Sequence, residues 1–273
     1  MNTHPIYFVP CAGLCNRIRS LVSAILYAKD TNVKLKVLWK TDYAICTGPF
    51  YKLFDTDSLP SFITVEEETA NTHRMWYTGK DINTKEEFKN YLDTMKGHPY
   101  IIKSHKAFYK DGTPEWLEIL RSLRPHPTII KKSHSIFMFS DKIVGIHIRR
   151  TDNKQSIQMS PSALFWQKMA SYSPDTLFYV SSDSQVERDA AERQFPGRII
   201  TGPVEILGRA SSEGIEAAML DLYSLSRCSE IVGSHYSSFS DIAAAWTNRH
   251  LTILRLPTKK PPVGTRGCAS TKC

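Results

Sequence analysis

Between residues 142 and 256 the chain alternates short β-branched runs with amphipathic segments, and few architectures can accept that order. Runs at 142–148, 177–181, 198–201, 230–233 and 251–256 read as strands, because Val, Ile, Phe and Tyr dominate them. The intervening stretches 161–172, 184–195, 214–226 and 239–246 carry apolar residues at helical spacing. In 214–226, for example, Ile215, Ala218, Met219, Leu222 and Tyr223 share one face. Five strands alternating with four helices predict a doubly wound α/β unit with a mostly parallel sheet. Ligands of such sheets bind beyond the carboxyl ends of the strands. Here those ends are polar: residues 147–152 (His147 to Asp152), Ser181-Ser182-Asp183, and 233–238 (Gly233 to Ser238).

The first half opens in the same way. A strand at 5–9 leads through a turn at 10–15 into a helix with Ile18, Leu21, Val22 and Ile25 on one side, then a strand at 34–39. From 40 to 98 the pattern loosens into what reads as loops and weak helices. A strand at 100–103 and a helix at 114–123 follow. Arg124-Pro125-His126-Pro127 breaks any helix and marks the expected domain junction. Two α/β domains, 1–127 and 128–273, fit the length.

Composition removes several function classes. With 41% hydrophobic residues the chain can bury a core, so disorder is excluded. The net charge of +8 is spread without a run of five Lys/Arg, which argues against a nucleic-acid partner and suits a compact anion. The six cysteines match no zinc spacing; Cys228 reads as a small core residue, and Cys268 and Cys273 lie together in a polar tail. No stretch of 18 apolar residues is present, and MNTHPIYFVP lacks a signal-peptide pattern, so the expectation is a soluble, cytoplasmic chain. No phosphate-binding loop of the G-x-x-x-x-G-K-[ST] type and no metal-ligating spacing occurs.

The chemistry concentrates after the strand at 142–148. Strand alternation puts His147 and Arg149 on one face, with Arg150 opposite or already in the loop. Two adjacent guanidinium groups at a sheet's mouth repel each other unless an anion lies between them, and Arg forks match phosphate oxygens. Asp152 could orient one of them and leave the other for substrate; the alternative is an Arg–Asp pair that only ties the loop to the sheet.

Residues 146–152, Ile-His-Ile-Arg-Arg-Thr-Asp, resemble the H-x-R-R-T-D segment of the α1,6-fucosyltransferases, the bacterial nodulation and animal core enzymes. Residues 178–183, 216–226 and 231–240 resemble that family's following strand, its helix with an internal Asp, and its strand–Ser-Ser–helix turn, in order. Residues 12–17 resemble the G-G-L-G-N-R turn of fucosyltransferase-like enzymes. The resemblance implies a GT-B arrangement of two facing Rossmann-type domains, with the acceptor on the first and the nucleotide sugar on the second. It implies an inverting, metal-independent transfer of fucose from GDP-fucose to a sugar hydroxyl of a glycan. By the same resemblance, Arg149 neutralises the donor's β-phosphate and Arg150 supports that site. His147 and Asp221 touch the guanine base, and Asp183 belongs to the donor site. Ser237 and Ser238, at a helix start, hold a phosphate.

Two departures stand out. Ala12 and Cys15 occupy positions where the family's turn has glycine, and residues 153–158 contain no acid where the core enzymes have a proposed base, Glu. The base is left among Asp152, Asp183 and Glu213. Gly13, Asn16 and Arg17 are expected on the acceptor side of the cleft, although Asn16 could equally be a helix cap. Tyr43, Phe50, Tyr51, Phe54, Trp76 and Tyr77 could stack on an acceptor sugar or simply pack. Another donor, such as UDP-xylose, and a non-catalytic sugar- or nucleotide-binding module are the competing readings.

Overall fold

A computed structural model of the chain describes residues 4–41, 45–68, 80–95, 98, 100–137, 142–202 and 208–257. Tyr43, Trp76, Tyr77, Cys268 and Cys273 lie outside the described residues.

The described residues form two five-stranded sheets in which every strand pairing is parallel. The first is built from β1 (Ile6–Pro10), β2 (Leu35–Lys40), β3 (Ile63–Glu68), β4 (Lys80–Asp81) and β5 (Tyr100–Ser104), in the order β3-β2-β1-β5-β4. The second is built from β6 (Ile143–Ile148), β7 (Leu177–Ser182), β8 (Ile199–Ile200), β9 (Glu230–Ser234) and β10 (His250–Leu254), in the order β10-β9-β6-β7-β8. Helices α1 (Leu14–Thr31), α2 (Phe50–Leu53), α3 (Lys85–Thr94) and α4 (Pro114–Ser122) accompany the first sheet. Helices α5 (Pro127–Ile136), α6 (Lys154–Met159), α7 (Ser162–Ala170), α8 (Gln185–Gln194), α9 (Ser212–Arg227) and α10 (Ser238–Thr247) accompany the second. The expected pair of Rossmann-type units is therefore what the chain forms. Among the described residues no helix is long and apolar enough to cross a membrane.

β6 is central in its sheet and covered on both faces, so all six of its residues are buried. Val144, Ile146 and Ile148 pack with Phe165, Met169, Phe178 and Phe195 beneath α7 and α8. Gly145 and His147 face the other way, toward α9 and α10. A Cβ on Gly145 would meet Leu225 Cδ1 at 2.7 Å and Cys228 at 3.1 Å, so the missing side chain lets α9 lie close to the sheet. Cys228 is buried, as expected of a core residue.

One continuous apolar cluster joins the two halves. Trp39, Phe50 and Phe54 from the first half share it with Ile215 and Met219 of α9, and Trp116 with Trp246 of α10. Phe50 stacks on Phe54 at 4.7 Å and meets Trp39 edge-on at 5.2 Å. Phe50 and Phe54 are thus core residues and not an acceptor platform, while Tyr51 is exposed.

The loosely patterned region holds more order than its composition suggests. β3 is an edge strand, where Glu66 and Glu67 can point at water. α3 starts with a full capping box, Thr84 with Glu87, two donors satisfied reciprocally. Pro127, read as a breaker, opens α5 at a first-turn position, where a missing N–H costs nothing. Just before it, Asp55 N–H donates to the Arg124 carbonyl and His126 N–H to that of Leu53, so the segment between the sheets is hydrogen-bonded in place.

Candidate active site

A cleft of about 1060 Å³ opens between the carboxyl ends of the two sheets. Gly13, Asn16 and Arg19 line it from α1 and its N-cap; His147, Arg149 and Asp152 from β6 and its loop; Asp183 from just after β7; Arg209 and Asp221 from α9 and the loop before it; and Tyr236, Ser237, Ser238 and Asp241 from the start of α10. Ten of the eleven residues expected at the site from the sequence lie at this end of the sheets. Arg17 is the exception, being turned into the core. Of the ten, Arg150 alone does not line the cleft.

Arg149 follows directly on β6. Its backbone N–H donates to Ser234 Oγ at 3.0 Å, which fixes where the side chain emerges. Its guanidinium bonds to Asp152 and lies 3.2 Å from Asp183. Asp183 does more than that. It accepts the Arg150 N–H at 2.7 Å and the Thr151 hydroxyl at 2.7 Å, so it pins the loop that carries Arg149. With its oxygens so engaged, Asp183 is a positioning group and a weak candidate for a base. Glu213 is exposed in the first turn of α9 and does not line the cleft.

Arg150 corrects the expectation of paired guanidinium groups. It turns away beneath the strand end, with Nε 3.0 Å from Glu187, and bonds to the Ser160 carbonyl at 2.9 Å and the Ser162 hydroxyl at 2.9 Å. The reason is alternation: one step after Arg149 the chain faces the other layer, where Glu187 of α8 waits. Arg17 is likewise removed from the cleft, buried to 1% exposure. It donates to the carbonyls of Ala12 at 3.0 Å and Lys40 at 2.7 Å and lies over Trp39. Ala12, at φ +63°, holds a left-handed conformation that glycine adopts more easily. Gly13 is the N-cap of α1, so Asn16, at the third helical position, is not a cap and faces the cleft.

His147 is buried against α10, its Nδ1 2.8 Å from Ser240 Oγ and its ring stacked on Phe239 at 4.7 Å. Burial first, and Arg149 second, push its pKa down to about 3, so the ring is neutral. Asp221 is not the solvated helix-face residue that its place in α9 could have made it. Its carboxylate accepts from Tyr179 Oη at 2.6 Å, Ser181 Oγ at 3.1 Å and the buried Arg188 at 2.6 Å. Three of about four lone-pair positions are used among the described residues, leaving one on a side chain that lines the cleft. Burial and the Asp221 charge hold the Tyr179 phenol well above its ordinary range, so it stays a donor.

Ser237 sits at the N-cap of α10 without a side-chain cap bond, and the helix start opens on the cleft, a favourable place for an anion. Sequence reasoning missed three charged residues here. Arg19 pairs with Asp241 across the cleft at 3.3 Å, and it lies three residues after Asn16 on the same helix face, a signal that was readable. Asp241, in the first turn of α10, has its carboxyl raised by burial. Arg209 bonds to Asp152 at 2.8 and 3.2 Å, and no periodicity in its loop announces it. Among the described residues no group of three His, Cys, Asp or Glu side chains is placed to hold a metal.

Two parallel sheets meeting at the carboxyl ends of their strands, with an arginine at the mouth of one and a helix start beside it, define a GT-B fold with an anion-competent cleft. Solved structures with this fold include the α-1,6-fucosyltransferase NodZ co-crystallised with GDP, at 18% identity and TM-score 0.62 over 89% of this chain and 92% of that one. Fucosyltransferase NodZ from Bradyrhizobium matches at 18% identity, TM-score 0.61, over 89% and 93%. POFUT1 in its apo form matches at 13% identity, TM-score 0.61, over 93% and 98%. No protein-family model matches the chain, and no curated protein does.

Proposed function

We propose that this chain is an inverting, metal-independent glycosyltransferase that moves fucose from GDP-fucose to a sugar hydroxyl of a glycan. The observation that carries the reading is Arg149: a guanidinium at the mouth of the β6 strand, facing a cleft that also receives the start of α10. Departure of a nucleoside diphosphate builds negative charge, and fixed donors aimed at that charge lower the barrier. The shared fold supports it, since NodZ has been solved soaked with GDP-fucose and POFUT1 in complex with GDP-fucose.

Residues 128–273 are assigned to the donor and 1–127 to the acceptor side, where Gly13 and Asn16 face the cleft. Neutral His147 and the free lone pair of Asp221 are the groups for the guanine edge. Ser237, Ser238 and the first-turn N–H groups of α10 receive phosphate oxygens. The acceptor oxygen attacks the anomeric carbon as the sugar–phosphate bond breaks, and its proton passes to Asp152, the cleft carboxylate that is half exposed. Arg150 supports this site only indirectly, by holding the loop under Arg149.

A thermal-shift panel of nucleotides tests the reading. GDP at a hundredfold excess over its Kd stabilises a native state by about 2.7 kcal/mol, so GDP should raise the melting temperature and UDP should not. A shift with UDP alone would overturn the donor assignment. Binding of GDP-fucose without turnover across a glycan acceptor panel would overturn the enzymatic one.

A further inference from the structure

Arg150 leaves the cleft and Arg19, which lines it, is engaged by Asp241, so the charge released on a diphosphate would fall on Arg149 alone unless another cation approaches it. One does. Arg209, in the loop before α9, reaches the same carboxylate as Arg149: its Nη1 lies 2.8 Å from Asp152 Oδ2 and its Nη2 3.2 Å from Oδ1. Arg149 bonds to that Oδ1 as well. Two guanidinium groups from separate elements thus converge on one pair of oxygens. A guanidinium fork accepts carboxylate and phosphate oxygens in the same bidentate geometry.

The loop carrying Arg209 is built to hold it there. A Cβ on Gly214 would come within 1.7 Å of the Gly208 carbonyl, so only glycine lets this loop close down on α9. The Arg209 carbonyl accepts from Thr47 of the first half at 3.4 Å. A Cβ on Gly13 would lie 4.0 Å from Arg209 Nη1, so the guanidinium stands beside the α1 N-cap, between the halves. Asp152, by contrast, is open to water. Its side chain is 54% exposed, and exposed ion pairs yield readily to a competing anion.

We infer that Arg209 is the second guanidinium for the donor's diphosphate, and that Asp152 is the carboxylate which the diphosphate displaces from it. The inference rests on the nucleotide-sugar reading above. A carboxylate and a diphosphate cannot share two cations at contact distance without repulsion, so donor entry releases Asp152 toward the acceptor side. The same event that fills the phosphate site then frees the proton-accepting group.

Titration calorimetry on the full chain with GDP and GMP tests this, using Arg209→Ala, Arg209→Lys and Asp152→Asn. Loss of a charged hydrogen-bond fork should weaken GDP about tenfold or more while GMP changes less, and Lys should restore part of the loss. Asp152→Asn should bind GDP more tightly than wild type, because the competing charge is gone. That gain does not depend on the Arg209 variants folding well. Wild-type affinity for GDP in Arg209→Ala, or no gain in Asp152→Asn, overturns the inference while leaving the nucleotide reading intact. A wild-type chain that binds neither GDP nor UDP overturns both.

Discussion

Asp221→Asn separates a structural carboxylate from a ligand-binding one. The side chain is buried beside Arg188, and both are nearly sealed from water at 5% and 4% exposure. Among the described residues Arg188 has one other partner, the Ser182 carbonyl, at 3.0 Å from Nε and 2.9 Å from Nη2. Neutralising Asp221 therefore leaves a guanidinium buried against a carbonyl, and breaking a buried pair from one side costs about 3–5 kcal/mol. Asn keeps the shape and can still accept one hydrogen bond, which places the cost near the lower end, about 3 kcal/mol. For a chain of this size that is a fall in Tm on the order of 6–12 °C. Urea denaturation at neutral pH, with thermal melts alongside, measures it. The double variant Asp221→Leu/Arg188→Met should be less destabilised than Asp221→Asn, since no unpaired charge stays buried. A loss under about 1 kcal/mol for Asp221→Asn would refute the claim that this pair is a buried structural link. If stability falls as stated but the GDP-over-UDP preference persists, the base-reading role of Asp221 is refuted instead.

Arg149→Ala should lower turnover by about two orders of magnitude or more, read as GDP released from GDP-fucose in the presence of acceptor, and near-normal turnover would remove its role. Arg150→Ala should act on stability, at about 3 kcal/mol by denaturation, because it strands the nearly buried Glu187. His147 makes stability pH-dependent: the unfolded imidazole takes up a proton below about 6.5, the folded one only near 3, so stability is lost as pH falls through that window. One proton corresponds to at most about 1.4 kcal/mol per pH unit, and the difference between wild type and His147→Asn should shrink from pH 7.5 to pH 5. Ala12→Gly should stabilise the fold by up to about 1 kcal/mol by relieving the left-handed alanine at φ +63°.

The strands of the second half and its helices α7 to α10 were legible because each has an apolar face to bury, and burial imposes periodicity on the sequence; α6, which buries only Ser156, was not. β3 and α3 were not, for two reasons. An edge strand with an acidic half lacks the alternation of a half-buried strand, and α3 buries only Phe88 among its ten residues, so its capping box is the main local signal. Pro127 misled because a proline that ends one helix is also suited to begin the next. The register of the two sheets, and the fusion of their cores through Trp39, Phe50, Ile215 and Trp246, depend on contacts far apart along the chain, which no local pattern encodes.

The exchange of arginines shows where such reading stops. Adjacent residues after a strand must face opposite layers, so two neighbouring guanidinium groups converge on one anion only if the chain bends between them. Here the backbone after Ile148 is held by Ser234 and Asp183, and the alternation persists one residue beyond the strand, sending Arg149 to the cleft and Arg150 to Glu187. The partner for Arg149 then has to come from another element. Arg209 satisfies that demand from 60 residues away along the chain, and it is recognised by sharing Asp152, not by any spacing in the sequence. If Arg150 rather than Arg209 proved to govern affinity for GDP, the backbone after β6 would have to turn in the bound state, and the alternation argument would fail with it.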